Sequence, residues 1–118
     1  MRFSVMKTER RVSTWSAPVF FSAWLTLPAV FAQQTVDVTI QNYRFTPAQV
    51  QIRVGDTVRW INQEKRTSHS VLFAPEQGGE SDRFFPQESW QRQFQTPGLY
   101  HYSCGPHPEM KGEVQVVP

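Results

Sequence analysis

The sequence predicts an all-β protein folded as a two-sheet sandwich, and three features of residues 33–118 support this prediction. Apolar and polar residues alternate with a period of two in several short runs, which is typical of strands with one buried face. Pro, Gly, Asn and Asp separate these runs, and no long segment has a helical period. About seven such runs in one small domain are typical of two packed sheets.

The predicted strands follow one another along the chain in short steps. Val36, Val38 and Ile40 form the first alternating run. Residues 49–62 hold two alternating runs on either side of Gly55-Asp56, which predicts a hairpin that turns at this pair. The later runs cover residues 70–73, 89–94, 99–104 and 112–117, and a loop is predicted at residues 74–87.

The run at residues 99–104 divides its side chains between two faces. Tyr100, Tyr102 and Cys104 share one face, so Cys104 is expected to point inward at the end of a strand. His101 falls on the opposite face and is therefore not expected to be a metal ligand. Tyr100 follows the turn residues Pro97-Gly98 and is predicted to form a tyrosine corner, in which the hydroxyl binds the backbone near the turn.

The amino-terminal segment has the features of an export signal. Basic residues precede an apolar run at residues 17–31, and Val30-Phe31-Ala32 provides a cleavage site. We expect residues 1–32 to be removed as a secretory signal peptide, which leaves a single domain at residues 33–118. The alternative is a retained membrane anchor, but the apolar run is shorter than the roughly 20 residues that a spanning helix needs. Arg10-Arg11 leaves a twin-arginine export route open beside the general one.

Removal of the signal changes the charge of the protein. Four of the twelve basic residues and one of the ten acidic residues lie in the signal, so the mature chain has a formal charge of −1. It keeps no basic run with interleaved aromatic residues, and we therefore predict no nucleic-acid-binding surface.

Three potential metal ligands stand at intervals of three, beginning with the last residue of the strand at residues 99–104. The segment Cys104-Gly-Pro-His-Pro-Glu-Met110 supplies a thiolate, the imidazole of His107 and a thioether. His69 precedes a predicted strand and could meet this loop at the same end of a sandwich. A trigonal set of two histidines and one cysteine with a weak methionine ligand is diagnostic of a blue-copper electron-transfer centre. We therefore predict one copper ion at His69, Cys104, His107 and Met110.

Other interpretations of these four residues stay open at this point. A copper carrier or storage protein would use the same soft ligands in an exchangeable site, although prolines on both sides of His107 favour a stiff loop that retains its metal. A copper or cysteine enzyme is a third interpretation, but a metal with four protein ligands leaves no position for a substrate. Zinc could also occupy these ligands in a recombinant sample.

The sequence from Asn42 to Val117 resembles the cupredoxins, and in particular their amicyanin and plastocyanin branch. The matching pieces are Tyr43-Arg-Phe-Thr-Pro47, Val54-Gly-Asp-Thr-Val58, Trp60-Ile-Asn62, His69, Gly98-Leu-Tyr100 and the segment Cys104 to Met110. The short spacing of this last segment is similar to that of amicyanin. The resemblance implies a Greek-key sandwich with copper at one end and with His107 reaching toward the surface.

The resemblance also implies what such a protein would do. We expect a monomer in the periplasm that shuttles single electrons by outer-sphere transfer through His107, with no stable membrane insertion after signal removal. The expected partners are larger redox proteins, such as a c-type cytochrome or a periplasmic dehydrogenase, docking transiently over Pro106, His107 and Pro108. Acidic residues at positions 76–82 are candidates for steering a basic partner, or are simply a solvated loop.

Three positions depart from the pattern of the cupredoxins. Ser70 and Gly105 stand where the family typically has Asn and a Ser or Thr, whose side chains connect the two ligand loops by hydrogen bonds. Because Gly105 has no side chain, we expect this connection to be altered or lost, which would change the tuning of the metal. Glu109 stands where amicyanins tend to have an apolar residue, and an acid there changes the rim around His107.

Overall fold

The structure, a computed structural model, describes residues 4, 13–26 and 32–118. The chain divides into two compact units, Met1–Val30 and Phe31–Pro118. Residues 13–26 of the first unit form no helix or strand. No helix among the described residues is long and apolar enough to cross a membrane. Val30 and Phe31, which precede the predicted cleavage point after Ala32, lie outside the described residues, and removal of residues 1–32 stays a prediction.

The second unit is a sandwich of two four-stranded sheets, which confirms the predicted fold class. One sheet has the order β2-β1-β4-β6 and the other the order β3-β8-β7-β5. A single 3-10 turn, Pro75–Gln77, is the one helical element in the described part of the chain. The strands are β1 (Thr35–Gln41), β2 (Arg44–Thr46), β3 (Gln49–Arg53), β4 (Thr57–Asn62), β5 (Leu72–Phe73), β6 (Ser89–Gln93), β7 (Gly98–Ser103) and β8 (Lys111–Val117).

The hairpin predicted at residues 49–62 is wrong, because its two strands belong to different sheets. β3 pairs in parallel with β8, whereas β4 pairs in parallel with β1 and antiparallel with β6. The turn between them crosses from one sheet to the other. The carboxylate of Asp56 accepts hydrogen bonds from the backbone N–H groups of Gln34 (2.9 Å) and Arg53 (3.0 Å), so it holds both sheets at this crossing.

The real hairpin near the amino terminus connects β1 to the short strand β2, which the sequence pattern did not predict. Gln41 pairs with Arg44, so Asn42 and Tyr43 alone form the turn. Both have positive φ angles, 55° and 58°, which is the backbone geometry of the tight two-residue hairpin turn. Asn adopts this geometry readily, whereas Tyr does so rarely. The turn projects Tyr43 from the end of the first sheet.

The core lies between the two sheets and is rich in aromatic residues. Trp60 on β4 is completely buried and contacts Phe73 and Tyr102 across the sandwich at ring-centroid distances of 6.1 Å and 5.4 Å. The predicted faces of β7 are confirmed, since Tyr100, Tyr102 and Cys104 are buried and His101 is exposed. The predicted tyrosine corner is also confirmed, because the Tyr100 hydroxyl donates a 2.7 Å hydrogen bond to the carbonyl of Thr96.

Pairing between strands decides which loops share an end of the sandwich. Ser103, the last residue of β7, pairs with Lys111, the first residue of β8, so residues 104–110 connect these strands at one end. The isolated bridge between His69 and Phe84 adds the segment before β5 to the same end. We call this region, with the Asn42-Tyr43 turn, the metal end, and the region around Asp56 the far end.

Candidate metal centre

The segment from Cys104 to Met110 folds into a compact loop held by its own backbone. The N–H of His107 donates to the carbonyl of Cys104 (3.2 Å), and the N–H of Met110 donates to the carbonyl of His107 (3.0 Å). The N–H of Cys104 donates to the carbonyl of Met110 (3.2 Å), which closes the loop at its base. Pro106 and Pro108 restrict the backbone on both sides of His107. Spacing by three therefore places all three side chains on one small turn.

Three of the four predicted ligands come together around the thiol. The Sγ atom of Cys104 lies 3.5 Å from Nδ1 of His69 and 3.5 Å from Nδ1 of His107. The three ligand atoms all lie within 4.8 Å of one another. Cys104 and His69 are fully buried, whereas His107 is half-buried. Met110 is 2% exposed and belongs to the same loop, with its carbonyl bound to the Cys104 N–H.

His69 reaches the loop from 35 residues earlier because backbone and side-chain bonds fix its segment. Its N–H and carbonyl exchange hydrogen bonds with Phe84 at 3.1 Å and 3.0 Å. The amide of the fully buried Asn62 donates to the carbonyls of Thr67 (2.8 Å) and Phe84 (3.1 Å). The end of β4 therefore holds both segments that flank the imidazole.

Burial controls the protonation of the candidate ligands. It raises the pKa of the Cys104 thiol, although the N–H of Ser70, 3.5 Å from Sγ, acts in the opposite direction. Burial, followed by the charge of His107, lowers the pKa of His69. The imidazole of His69 is therefore neutral near pH 7 and keeps a lone pair for a metal. The thiol must lose its proton when a metal binds, so binding is expected to release a proton.

The donor set fits copper in chemical type. It combines a thiolate and two imidazoles with a buried thioether nearby, and soft sulfur together with imidazole is the set that copper prefers. No carboxylate belongs to this cluster among the described residues. His101 lies outside it, with its exposed ring 3.4 Å from the carboxylate of Glu113. The structure thus separates the histidine on the outer face of β7 from the two at the metal end.

Tyr43 and Glu64 are parts of the metal end that sequence reasoning missed. The ring of Tyr43 meets the rings of His107 and His69 edge-on, at centroid distances of 5.0 Å and 6.0 Å. Oε1 of Glu64 accepts the backbone N–H of Tyr43 (2.8 Å) and lies 3.5 Å from Nε2 of His69. The Asn42-Tyr43 pair could have been identified as a turn from its position between two alternating runs, but not its closeness to the histidines.

The connection between the two ligand loops is altered but not lost. The backbone N–H of Gly105 donates a 3.0 Å hydrogen bond to the hydroxyl of Ser70. That hydroxyl in turn donates to Oε1 of Glu80 at 2.8 Å. The backbone N–H of Gly105 thus makes the hydrogen bond that a Ser or Thr side chain would make at this position, and the carboxylate of Glu80 extends the connection.

Comparison with known proteins gives one consistent picture. Residues 32–117 match a family model described as copper-binding proteins of the plastocyanin/azurin family. The chain is 36% identical to amicyanin-alpha of Methylorubrum extorquens over 70% of this chain and 71% of that protein. It is 34% identical to amicyanin of Paracoccus denitrificans over 75% of this chain and 70% of that protein. A solved Cu(I) form of a methionine-to-alanine variant of amicyanin is 31% identical, with a TM-score of 0.67 over 74% of this chain and 86% of that one.

Proposed function

The chain belongs to the plastocyanin/azurin family of copper-binding proteins, and from this premise we propose that it shuttles single electrons between larger redox proteins. The proposed ligands of its copper are His69, Cys104, His107 and Met110. The observation that carries the proposal is the position of the buried Cys104 sulfur, 3.5 Å from one ring nitrogen of each histidine. Copper held by a thiolate, two imidazoles and a weak thioether exchanges one electron between Cu(I) and Cu(II).

The residues around the site favour electron transfer over chemistry on a bound substrate. The loop hydrogen bonds and the two prolines hold the Cys104 and His107 donors in place, and a stiff site changes little when an electron arrives. Four protein ligands leave no position on the metal for a substrate. An electron-transfer protein keeps its copper in a stiff, buried site, whereas a copper carrier or storage protein needs a site that exchanges its metal.

His107 is the proposed route for the electron. It is half-buried, whereas His69 and Cys104 are fully buried, so its ring is the ligand that a docked partner can approach most closely. Pro106 and Pro108 flank it and would form the centre of a small contact surface. Such encounters are small and transient, with charges at the rim that guide association.

The proposed partners are a c-type cytochrome or a periplasmic dehydrogenase. The proposed periplasmic location rests on the signal predicted at residues 1–32. The domain left after its removal, which we propose is a monomer, has a formal charge of −1. Exposed Glu76, Glu80 and Asp82 are candidates for guiding a basic cytochrome. Electron transfer to such a partner should slow as salt is added, and a rate that does not depend on salt would remove these acids from the proposal.

The decisive experiment is the visible spectrum of residues 33–118 after addition of Cu(II). An intense blue thiolate-to-copper band, bleached reversibly by a mild reductant and by a reduced cytochrome c, is the expected result. A colourless product, or oxidation of Cys104 to a disulfide-linked dimer, would contradict the proposal. Rapid loss of copper to a chelator without any electron exchange would favour a copper carrier or storage protein instead.

A further inference from the structure

Glu80 occupies the space that a side chain at position 105 would need. A Cβ atom built on Gly105 would overlap the Glu80 carboxylate and would come within 2.8 Å of the Ser70 hydroxyl. Gly105 is not one of the described residues with a positive φ angle, so its backbone conformation does not require glycine. A side chain at this position would instead have to displace the Glu80 carboxylate and crowd the Ser70 hydroxyl.

The backbone around Glu80 fixes the position of its side chain. Glu80 forms a bridge to Leu72 at the edge of the second sheet. On one side of it, the carbonyl of Gly79 accepts the N–H of Phe73 (2.9 Å), and on the other the N–H of Ser81 donates to the carbonyl of Val71 (2.9 Å). A residue held on both sides in this way directs its side chain at Ser70 with little loss of backbone entropy.

A chain of hydrogen bonds connects this carboxylate to the thiol loop. Glu80 accepts a hydrogen bond from the Ser70 hydroxyl, which leaves the hydroxyl oxygen oriented to accept a hydrogen bond from the N–H of Gly105. The N–H of Ser70 points at the Cys104 sulfur, 3.5 Å away. The same serine therefore contacts the ligand and the residue after it, and Glu80 orients that serine.

We propose that Glu80 is a positioning residue of the copper site, which holds the Ser70 hydroxyl in the orientation that connects the His69 and Cys104 loops. This inference deepens the proposed copper function, since orientation of the ligand loops matters only if they hold the metal. Glu80 does not contact a ligand atom itself, and its effect passes through Ser70 and Gly105. Residues that orient ligands in this way tune metal affinity by about 10- to 100-fold.

The first test uses the metal-free protein, so that its result does not depend on copper binding. Hydrogen exchange of the Gly105 amide is measured by NMR in wild type, Glu80→Ala, Glu80→Gln and the matched control Glu76→Gln, which removes the same charge from an exposed site in the same loop. We expect Glu80→Ala to accelerate exchange by about tenfold, and Glu80→Gln, which keeps a hydrogen-bond acceptor, to do so by less than about threefold. Exchange in Glu80→Ala that equals wild type would overturn the proposal.

The second test measures copper directly. Glu80→Ala should release copper to a chelator about tenfold faster than wild type and shift the reduction potential, while Glu76→Gln should change neither. If wild type forms no blue centre, the proposed function fails while the amide-exchange test of Glu80 still stands. If the centre forms and Glu80→Ala matches wild type in release rate and potential, the positioning role is wrong.

A third test uses the overlap between positions 80 and 105. Gly105→Ala should displace the carboxylate and accelerate copper release in wild type, because the new methyl group and the carboxylate cannot share this space. In the Glu80→Ala background the same substitution should have little further effect, since the space is then open. Equal effects of Gly105→Ala in the two backgrounds would show that the two residues act independently and would contradict the proposal.

Discussion

The two ends of the sandwich use their buried polar groups in opposite ways. At the far end, the Asp56 carboxylate accepts two backbone N–H groups, from Gln34 and Arg53, at 2.9 Å and 3.0 Å. At the metal end, the Cys104 sulfur has the N–H of Ser70 and one ring nitrogen of each of two histidines around it, all at 3.5 Å. Nε2 of His69 is buried, lies 3.5 Å from Oε1 of Glu64 and makes no well-formed hydrogen bond within the described residues.

This difference separates stability from function. The bonds of Asp56 join two sheets and are complete within the fold, so the far end contributes to stability. The thiol and the two imidazoles of the metal end make few hydrogen bonds within the fold, so their lone pairs are available to a metal. We therefore expect substitutions at the far end to change the free energy of unfolding and not the copper spectrum, and Cys104→Ser to abolish the copper spectrum while the metal-free protein stays folded.

The largest expected effect is the loss of the blue centre in Cys104→Ser. A serine hydroxyl cannot supply the thiolate-to-copper transition, so the intense band should disappear completely, while the metal-free protein remains folded because the side chain keeps its size. Absorbance after Cu(II) addition and circular dichroism of the metal-free protein measure the two properties. Ser103→Ala, at the neighbouring half-buried position, is the control and should keep the band.

At the far end, Asp56→Ala should lower the free energy of unfolding by about 3 kcal/mol, because two backbone N–H groups lose a charged acceptor. Asp56→Asn keeps one acceptor oxygen and should lower it by about 1 kcal/mol. Urea denaturation of the metal-free proteins measures both. The blue band of the copper-loaded variants should be unchanged, and a shifted band would show that the two ends are not independent.

The two ends should also respond to acid in different pH ranges in the metal-free protein. Burial lowers the pKa of His69 below its ordinary 6.5, so the unfolded chain binds a proton first and stability falls as the pH drops below 6.5, by at most about 1.4 kcal/mol per pH unit. Backbone hydrogen bonds from Gln34 and then Arg53 lower the pKa of Asp56, so its contribution is present above pH 3.8 and is lost as the pH falls below that value.

Urea denaturation across pH 3–8 separates these contributions. His69→Asn should flatten the profile between pH 6.5 and 5, whereas Asp56→Asn should flatten it below pH 3.8. A wild-type profile that is level between pH 7 and 5 would contradict the burial of a neutral imidazole at the metal end.

The smallest expected effect concerns Tyr43, which packs against both histidines. Tyr43→Ala should lower the free energy of unfolding by about 1 kcal/mol, since it removes two edge-on ring contacts but also relieves a left-handed backbone on a bulky residue. It should also accelerate electron exchange with a cytochrome by exposing more of His107. Tyr43→Phe keeps the ring and is the control. Stopped-flow rates that are equal in all three proteins would show that Tyr43 does not limit the access of a partner to His107.

The sequence alone predicted the features that depend on residues close together in the chain. The loop from Cys104 to Met110 spans seven residues, so intervals of three are enough to bring its donors onto one turn. The faces of β7 and the corner of Tyr100 follow from the two-residue period and one neighbouring turn. Local geometry has few solutions over such distances, and a residue pattern can identify the right one.

Tertiary structure decided everything that depends on which distant segments meet. Alternation in residues 49–62 correctly placed Ile52, Val58 and Trp60 in the core, although Val54 at the turn is exposed. It did not show which strand lies beside each run, and the two strands belong to separate sheets. The same holds for two other residues of the metal end. Tyr43 contacts His107, which is 64 residues away in the sequence, and Glu80 lies beside Gly105, which is 25 residues away. A period-two pattern indicates which side chains are buried, whereas the choice of neighbouring strand depends on the packing of the whole chain. Only that packing brings the Glu80 carboxylate and the Ser70 hydroxyl to Gly105.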